Sequence, residues 1–211
     1  MDDFAENLAE LLAYLGDGLS ADHPFAPLHG TLPSGGEGSP DVWLLGSSMD
    51  SALWAAEAGL PYCFADFINP GGASMAEEYR RRFRPSARLG APYVMAASWA
   101  IAAPTLEEAR RLAAPANMMM AHLIAGRLIA VPSVEDALAW LEKQPHGYSA
   151  AHRRQLLGTP ADVHTQIDEV AAEYGADEMM LVNILPDHAA RRRSYELLAA
   201  EYGLAEQPPE A

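Results

Sequence analysis

The sequence predicts an α/β fold built on a parallel sheet. Four continuous apolar runs stand out as strand candidates, at Val42–Leu45, Tyr62–Phe67, Tyr93–Ala102 and Glu178–Leu185. Strands buried on both faces have unbroken apolar runs of this kind, whereas strands with one wet face alternate. Helical patterns separate the runs, and strands that alternate with helices indicate α/β architecture.

The helices are predicted from apolar spacing and from capping residues. Phe4 and the leucines of residues 8–15 form one apolar face, which predicts a helix over residues 4–15. Thr105 and Ser133 each precede an acidic first turn, and Thr159-Pro160 places a cap before a proline at the first helical position. The predicted helices after the first are Ser51–Ala58, Ser74–Phe83, Thr105–Ala113, Ser133–Lys143, one opening at Thr159, and Asp187–Tyr202.

Four strong strands leave two architectures open. They can form a small open sheet, or they can be part of a closed (β/α)₈ barrel, which needs eight strands and about 250 residues. In the second case the missing part precedes Met1. The Gly-, Pro- and Ser-rich stretch between Gly16 and Pro40 is long for a loop inside one domain, which indicates a functional loop or a join within something larger.

Composition excludes several classes of partner. The 211 residues carry a net charge of −15, which argues against nucleic acid and anionic membrane surfaces because both require a basic face. No apolar run reaches the length of a membrane span, and the acidic N-terminus lacks a signal peptide's basic region. Cys63 is the single cysteine and lies in an apolar run, which predicts a buried thiol. A reducing, cytoplasmic location is expected.

The stretch Gly46-Ser47-Ser48 interrupts a buried strand just before a helix. Helix N-termini present free N–H groups and positive potential, hydroxyls add donors, and glycine allows close approach, so the turn suits a phosphate. The alternative is that Ser48, Asp50 or Ser51 only caps the helix. The turn is neither a nucleophile elbow nor a P-loop, because the required glycine and Gly-Lys pair are missing.

Other polar residues have weaker functional interpretations. Asp66 and Asn69 follow the second strand and could contact substrate, whereas Asp187 is read as a helix cap before His188. Ser98 and Trp99 lie on the third strand, where Trp99 could line a pocket or fill the core. Catalytic residues are not identified, and no metal site is predicted because no HExxH, CxxC or carboxylate cluster occurs. Met118–Met120 and His122 are read as packing, and the arginine runs Arg80–Arg82 and Arg191–Arg193 as solvated helix faces.

An ordered set of segments resembles the luciferase-like flavin-dependent monooxygenases. The segments are VWLLGSSMDSALWAAEAGLPYCFADFINP, YRRRFRPS, PYVMAASWAIAAPTLEEARRLA, LLGTPADV and YGADEMMLVNILPDHAARRRSYELLA. The resemblance covers the chain from about Asp41 to the last helix and corresponds to the C-terminal half of the family's (β/α)₈ barrel. It implies strands five to eight of that barrel, with residues 1–204 as the barrel part and residues 205–211 as a disordered tail.

The resemblance also implies a cofactor and a reaction. Members bind reduced FMN, or in some branches a deazaflavin, and use O₂ to oxidise small organic substrates. The turn after the fifth strand contacts the flavin phosphate, which implicates Gly46, Ser47, Ser48 and Ser51. The family's first four strands are missing here, so a homodimer or a separate N-terminal half is expected to complete the barrel. The alternatives are a non-catalytic half-barrel and an unrelated α/β enzyme with a phosphate ligand.

Overall fold

The computed structural model describes residues 3–16, 18–31, 40–144 and 153–204. The chain divides into two compact units, Met1–Trp43 and Leu44–Ala211. The predicted tail at residues 205–211 lies outside the described residues.

The first unit contains the predicted N-terminal helix α1, Phe4–Leu15, and a 3₁₀ helix, Ala26–Thr31. His23 Nε2 lies 3.1 Å from Glu10 Oε1, and the rings of Tyr14 and Phe25 pack edge to face at 6.5 Å. The 3₁₀ helix falls within the stretch predicted as a long loop, of which residues 32–39 lie outside the described part.

The second unit is built on a sheet in which every described strand pair is parallel. The strands are β1 (Leu44–Gly46), β2 (Tyr62–Ala65), β3 (Val94–Ala102), β4 (Gln155–Gly158) and β5 (Glu178–Val182). The four predicted strands are confirmed and each is shorter than predicted, although β1 ends one residue later, at Gly46; β4 was not predicted. Its four residues include only two leucines, which is too short a signal to distinguish from a loop.

Strand β3 is the centre of the sheet, and all nine of its residues are buried. Its first half pairs with β2 through Tyr62↔Val94 and with β5 through Met95↔Glu178. Its second half pairs with β4, from Trp99↔Gln155 onward. Strand β1 pairs with β2. Among the described residues, no strand pairs with the outer edges of β1 and β5.

Strand β5 stops at Val182 although its apolar run continues to Leu185. Beyond that point, side chains rather than a neighbouring strand bond to the backbone of β3. Asn183 Nδ2 donates to the Ala100 carbonyl at 3.3 Å, and the Ala102 N–H donates to Ser194 Oγ at 2.9 Å. Because buried backbone groups must be paired, these two bonds allow β5 to end without leaving the edge of β3 unsatisfied.

The helices of the second unit are α2 (Met49–Ala58), α3 (Ala73–Arg82), α4 (Leu106–Ile124), α5 (Val134–Leu141), α6 (Pro160–Tyr174) and α7 (His188–Glu201). The last four begin at the predicted caps, whereas α2 begins two residues before its predicted start at Ser51 and α3 begins after Gly72 without a side-chain cap. The side chains of Thr105, Ser133, Thr159 and Asp187 each accept a bond from the first turn that follows. None of the described helices is long and apolar enough to cross a membrane.

Helix α4 is longer than predicted. The predicted helix ended at Ala113, two residues before Pro115, and a proline inside a helix removes an N–H and crowds the preceding turn. In the structure the helix continues to Ile124 with Pro115 buried inside it. The residues after the proline explain this outcome: Ala116 and Met120 pack against Trp99, so burial of this apolar face offsets the proline's cost.

The two faces of the sheet pack against different partners. Tyr62 and Phe64 on β2 contact Tyr79 of α3 and Tyr174 of α6 at ring distances of 5.4 and 5.3 Å, so this face is covered by helices. Since successive side chains of a strand point to opposite faces, Trp99 lies on the other face, where the second half of α4 covers it.

Candidate functional site

The Gly46–Ser51 turn lies at the carboxyl end of β1, where parallel α/β sheets commonly bind ligands. Ser48 is the N-cap of α2, and its Oγ accepts a bond from the Ser51 N–H at 3.3 Å. The Ser51 hydroxyl completes a capping box by accepting from the Ser48 N–H at 3.4 Å. The capping interpretation of Ser48 and Ser51 is therefore confirmed, and it is compatible with a ligand in front of the turn.

Gly46 is required by the close approach of Ser51. A Cβ atom at position 46 would lie 2.2 Å from Ser51 Oγ and 2.3 Å from Ser51 Cβ, far inside ordinary contact. Any side chain at this position would push the first turn of α2 away from the end of β1. The glycine therefore holds the helix N-terminus tightly against the strand.

Hydroxyl groups on the buried side of the turn hold it in place through hydrogen bonds. Ser51 is 7% exposed, and its Oγ donates to the Ser48 carbonyl at 2.7 Å and lies 3.0 Å from Tyr62 Oη. Burial raises the pKa of Tyr62 to about 12, and the bond to Ser51 offsets part of that rise. The phenol therefore stays neutral near pH 7 and remains available as a donor. Ser51 faces the interior, while the other three predicted residues form the outer part of the turn.

Donors on the outer side of the turn are available to a ligand. Ser48 is exposed and Ser47 is partly exposed. Met49 and Asp50 open α2, where backbone N–H groups lack intrahelical acceptors. The exposed Asp50 carboxylate is the one group here that disfavours an anion. The Ser48 hydroxyl donates to Ser51 Oγ at 3.4 Å, a long bond that a bound anion would replace. With that exchange the turn offers two hydroxyls and two amides to an anion such as a phosphate, when Asp50 points away from it.

Asn69 connects this turn to the loop that follows β2. Its Nδ2 donates to the Ser47 carbonyl at 3.3 Å, while its own N–H donates to Ala65 at 3.2 Å. Asn69 was predicted only as a residue near a substrate. The structure shows that it joins the ends of two neighbouring strands.

Asp66 lies in a buried hydrogen-bond network behind the same loop. It is 0% exposed, and it accepts bonds from Ser98 Oγ at 3.1 Å and from Tyr174 Oη at 2.9 Å. The Gly72 N–H in turn donates to Tyr174 Oη at 2.8 Å. The network fixes the end of β2, the middle of β3, helix α6 and the start of α3 relative to one another. Because the carboxylate is fully covered, the role that the structure shows for Asp66 is to hold these elements together.

Burial and neighbouring charges act on Asp66 in opposite directions. Burial raises the pKa of the carboxyl, and the bonds from Tyr174 and Ser98 together with Arg154 oppose that rise. Arg154 Nη1 lies 3.7 Å from Asp66 Oδ1, and its Nη2 lies 2.8 Å from Glu173. Sequence reasoning missed this network, because Tyr174 is 108 residues away from Asp66.

Trp99 is the most prominent residue on the opposite face of the sheet. It is 3% exposed, and its indole Nε1 is buried with no hydrogen-bond partner among the described residues. Next to it, Gln155 pairs in register with Trp99 and donates through Nε2 to Asn117 Oδ1 of α4 at 2.8 Å. The strand neighbour of Trp99 therefore belongs to a hydrogen-bonded polar pair.

The remaining sequence candidates are distant from the turn or have structural roles. Asp187 is the cap of α7, as predicted, and His188 Nδ1 lies 3.0 Å from Arg191 Nη2 on an exposed surface. Arg81 and Arg82 pair with Glu78, which fits the predicted solvated face. In the described part of the chain, no three His, Cys, Asp or Glu side chains are grouped to hold a metal ion.

Comparison with known proteins decides which family this arrangement belongs to. The model of the luciferase-like monooxygenases matches residues 2–178. The chain belongs to the luciferase-like monooxygenase family. A luciferase-like monooxygenase of Escherichia coli (strain K12) is 34% identical over 200 residues, which cover 93% of this chain and 58% of that protein. The uncharacterized protein YceB of Bacillus subtilis is 33% identical over 211 residues, with 93% and 60% covered. Membership in this family excludes the alternative of an unrelated phosphate-binding enzyme.

Solved structures agree with the family assignment. The crystal structure of apo-MsnO8 has a TM-score of 0.82 at 30% identity, and the match covers 98% of this chain and 62% of that one. The fold of monooxygenase RslO1 from Streptomyces bottropensis is similar, with a TM-score of 0.61 at 20% identity, covering 95% and 61%. The chain thus spans about 60% of the length of its relatives. Its α/β fold with a parallel sheet is consistent with part of the family's barrel.

Proposed function

We propose that this chain forms the flavin-phosphate end of a luciferase-like monooxygenase that oxidises a small organic molecule with O₂. The observation that carries the proposal is the Gly46–Ser48 turn, which presents hydroxyls and free amides at the carboxyl end of a parallel strand in a chain of this family. We refer to Gly46, Ser47, Ser48 and Ser51 as the phosphate seat. The proposed location is the cytoplasm, where reduced flavin and a free thiol are both compatible with the surroundings.

The four residues of the phosphate seat have different roles in this proposal. Ser47 and Ser48 donate their hydroxyls to the phosphate of FMN, together with the first amides of α2. Gly46 permits the close packing, and Ser51 holds Ser48 in place, because the Ser51 hydroxyl is already bonded to the Ser48 carbonyl. Bound reduced flavin supplies the electrons that O₂ chemistry requires. The residues of the chain bind and orient the cofactor.

FMN is the proposed cofactor and a deazaflavin is the alternative. The oxygenating constituent of 3,6-diketocamphane monooxygenase from Pseudomonas putida, whose fold matches with a TM-score of 0.55 at 18% identity, was solved in complex with FMN. The likeness at that identity concerns the fold, so the support for FMN comes from the seat and from the resemblance of the sequence. Competition between the two cofactors in one titration separates these alternatives.

A second candidate function is a half-barrel without flavin turnover. The outer edges of β1 and β5, with which none of the described strands pairs, favour it, because strand edges of this kind need a complement. We propose that a second copy of the chain or an N-terminal half provides the complement.

The decisive experiment compares FMN with riboflavin, which lacks the phosphate. We expect purified protein to bind FMN, measured by flavin fluorescence, and the Ser47→Ala/Ser48→Ala variant to bind it at least about 150-fold more weakly, since each of the two lost hydrogen bonds to a charged group contributes about 1.5–3 kcal/mol. Riboflavin affinity should be equal in both proteins. Ser74→Ala, a change of an exposed serine on α3, is the matched control.

Three outcomes have separate meanings. If the double variant lost affinity equally for FMN and riboflavin, the turn would not contact the phosphate. Undiminished FMN binding by the double variant would place the phosphate elsewhere. The protein could also elute in size-exclusion chromatography with the mass of one chain and fail to bind FMN. If adding an N-terminal half then restored binding, the half-barrel interpretation would be supported.

A further inference from the structure

The strongest unexplained feature outside the phosphate seat is the indole N–H of Trp99. Buried donors in native proteins are nearly always paired, and an unpaired one costs about 1–3 kcal/mol. Trp99 Nε1 is buried and has no acceptor among the described residues, although the ring itself is tightly packed. The Trp99 N–H lies in the carboxyl half of the central strand β3. An acceptor on a bound ligand would pair it.

A hydrogen-bonded pair of polar side chains begins at the strand neighbour of Trp99. Gln155 is the register partner of Trp99, and parallel neighbours in register lie about 5 Å apart on the same face. Gln155 Nε2 donates to Asn117 Oδ1, so that bond leaves the Asn117 amide group as a donor and Gln155 Oε1 as an acceptor. The three side chains come from β3, β4 and α4, and they offer two donors and one acceptor.

The surroundings of these groups are apolar and only partly closed. Trp99, Ala116 and Met120 form the buried part, and the side chains packed around them are partly exposed: Phe67, Met119, Val182 and Ile184. Met119 is unbranched and flexible, so it can move aside without disturbing α4. Ligand sites typically combine such apolar walls with a few placed polar groups.

We propose that Trp99, Asn117 and Gln155 form a subsite for a carbonyl oxygen carried by a ring-shaped apolar ligand. The Trp99 N–H and the Asn117 amide donate to the oxygen, and the apolar rim holds the ring. This chemistry fits the organic substrate and also a carbonyl of the flavin ring. The proposal rests on the proposed function insofar as it assigns the ligand to the reaction, and it is tested independently of the phosphate seat.

The test observes the Trp99 N–H directly in ¹⁵N-labelled protein. The chain has four tryptophans, so its indole N–H signals are few, and the one lost in Trp99→Phe identifies Trp99. Cyclohexanone and FMN are added in separate titrations. We expect the Trp99 signal to move downfield and saturate, because the N–H gains an acceptor, while the Trp54 signal on α2 stays in place in the cyclohexanone titration.

Variants measure the contribution of each donor. A neutral hydrogen bond contributes about 0.5–1.5 kcal/mol, so Trp99→Phe and Asn117→Ala should each weaken binding of the responsive probe about three- to tenfold. Trp54→Phe is the control and should leave the affinity unchanged. The wild-type titration needs no variant, so the test stands even if Trp99→Phe folds poorly.

The two probes separate the sources of the carbonyl. Movement with cyclohexanone supports an organic substrate, and movement with FMN alone supports the flavin ring. No movement with either probe overturns the subsite, and flavin fluorescence in the same samples then reports separately whether the phosphate seat binds. Movement with cyclohexanone in a protein that fails to bind FMN supports the subsite and contradicts the proposed seat.

Discussion

Replacement of Gly46 by alanine tests whether the phosphate seat depends on close packing. The new Cβ would lie 2.2 Å from Ser51 Oγ, whereas ordinary contact begins at 3.4 Å, so Ser51 would have to move by about 1.2 Å. That movement breaks its bonds to the Ser48 carbonyl and to Tyr62 Oη, which measure 2.7 and 3.0 Å. The capping of α2 is lost with them.

The expected cost follows from three contributions. Overpacking costs about 1–3 kcal/mol, and the two lost hydrogen bonds cost about 1 kcal/mol each. Loss of chain entropy in the unfolded state returns about 0.4–1 kcal/mol when glycine becomes alanine. We therefore expect a net destabilisation of about 2–5 kcal/mol, which lowers Tm by about 4–20 °C for a chain of this size.

Thermal and urea unfolding, followed by circular dichroism, measure this change against two references. Gly90→Ala is the matched control, because a Cβ there meets nothing within 4 Å. Adding Ser51→Gly to Gly46→Ala should recover at least about 1 kcal/mol in a double-mutant cycle, since it removes both clashing atoms. Adding Ser51→Ala should not, because Ser51 Cβ would still be 2.3 Å away. Equal stability of Gly46→Ala and Gly90→Ala would refute the reasoning.

Three further predictions concern the buried residues of the second unit. Burial raises the pKa of Asp66, so the carboxyl group binds its proton more tightly in the folded protein than in the unfolded chain. Protonation of Asp66 therefore stabilises the fold at low pH, and this stabilisation falls as pH rises from about 4 through the folded pKa. Urea titrations should show that the unfolding free energy of wild type, minus that of Asp66→Asn, decreases over this pH range. A difference that does not change with pH would contradict the prediction. Tyr174→Phe removes the acceptor of the Gly72 N–H and should cost about 2–3 kcal/mol, whereas Tyr195→Phe, whose exposed hydroxyl makes one 3.3 Å bond, should cost under about 0.5 kcal/mol. Cys63 is 3% exposed, and burial raises its pKa to about 11. A thiol reagent at pH 7.5 should therefore label Cys63 only when the protein unfolds. Rapid labelling of the folded protein would mean that solvent reaches the face of the sheet on which Cys63 lies.

The sequence predicted the elements of this fold better than their ends. Apolar runs and caps were sufficient for strands β1, β2, β3 and β5 and for the starts of the helices, because those signals are local. The end of α4 was missed because burial of Met120 against Trp99 outweighs the local effect of Pro115. The end of β5 was missed because Asn183 replaces a ladder bond through its side chain.

The site was predictable only where it is contiguous in the chain. The Gly46–Ser51 turn is six residues long, and its glycine, hydroxyls and following helix are visible in the sequence. The network around Asp66 depends on Tyr174 and Arg154, which the topology of the sheet brings near from distant positions. No spacing rule links such residues, so their roles follow from the tertiary structure alone.

The exposure of the sheet's second face predicts how FMN binding depends on protein concentration. Leu45 on β1 and Met180 on β5 point to that face and are 54% and 45% exposed, so the two outermost strands lack packing that the central strands have. If a second copy completes the site, FMN affinity should rise with protein concentration, because mass action links binding to dimerisation. If a separate N-terminal half completes it, affinity should be independent of concentration until that half is added. Concentration-independent, strong FMN binding by a monomer would show instead that a single chain suffices to hold the cofactor.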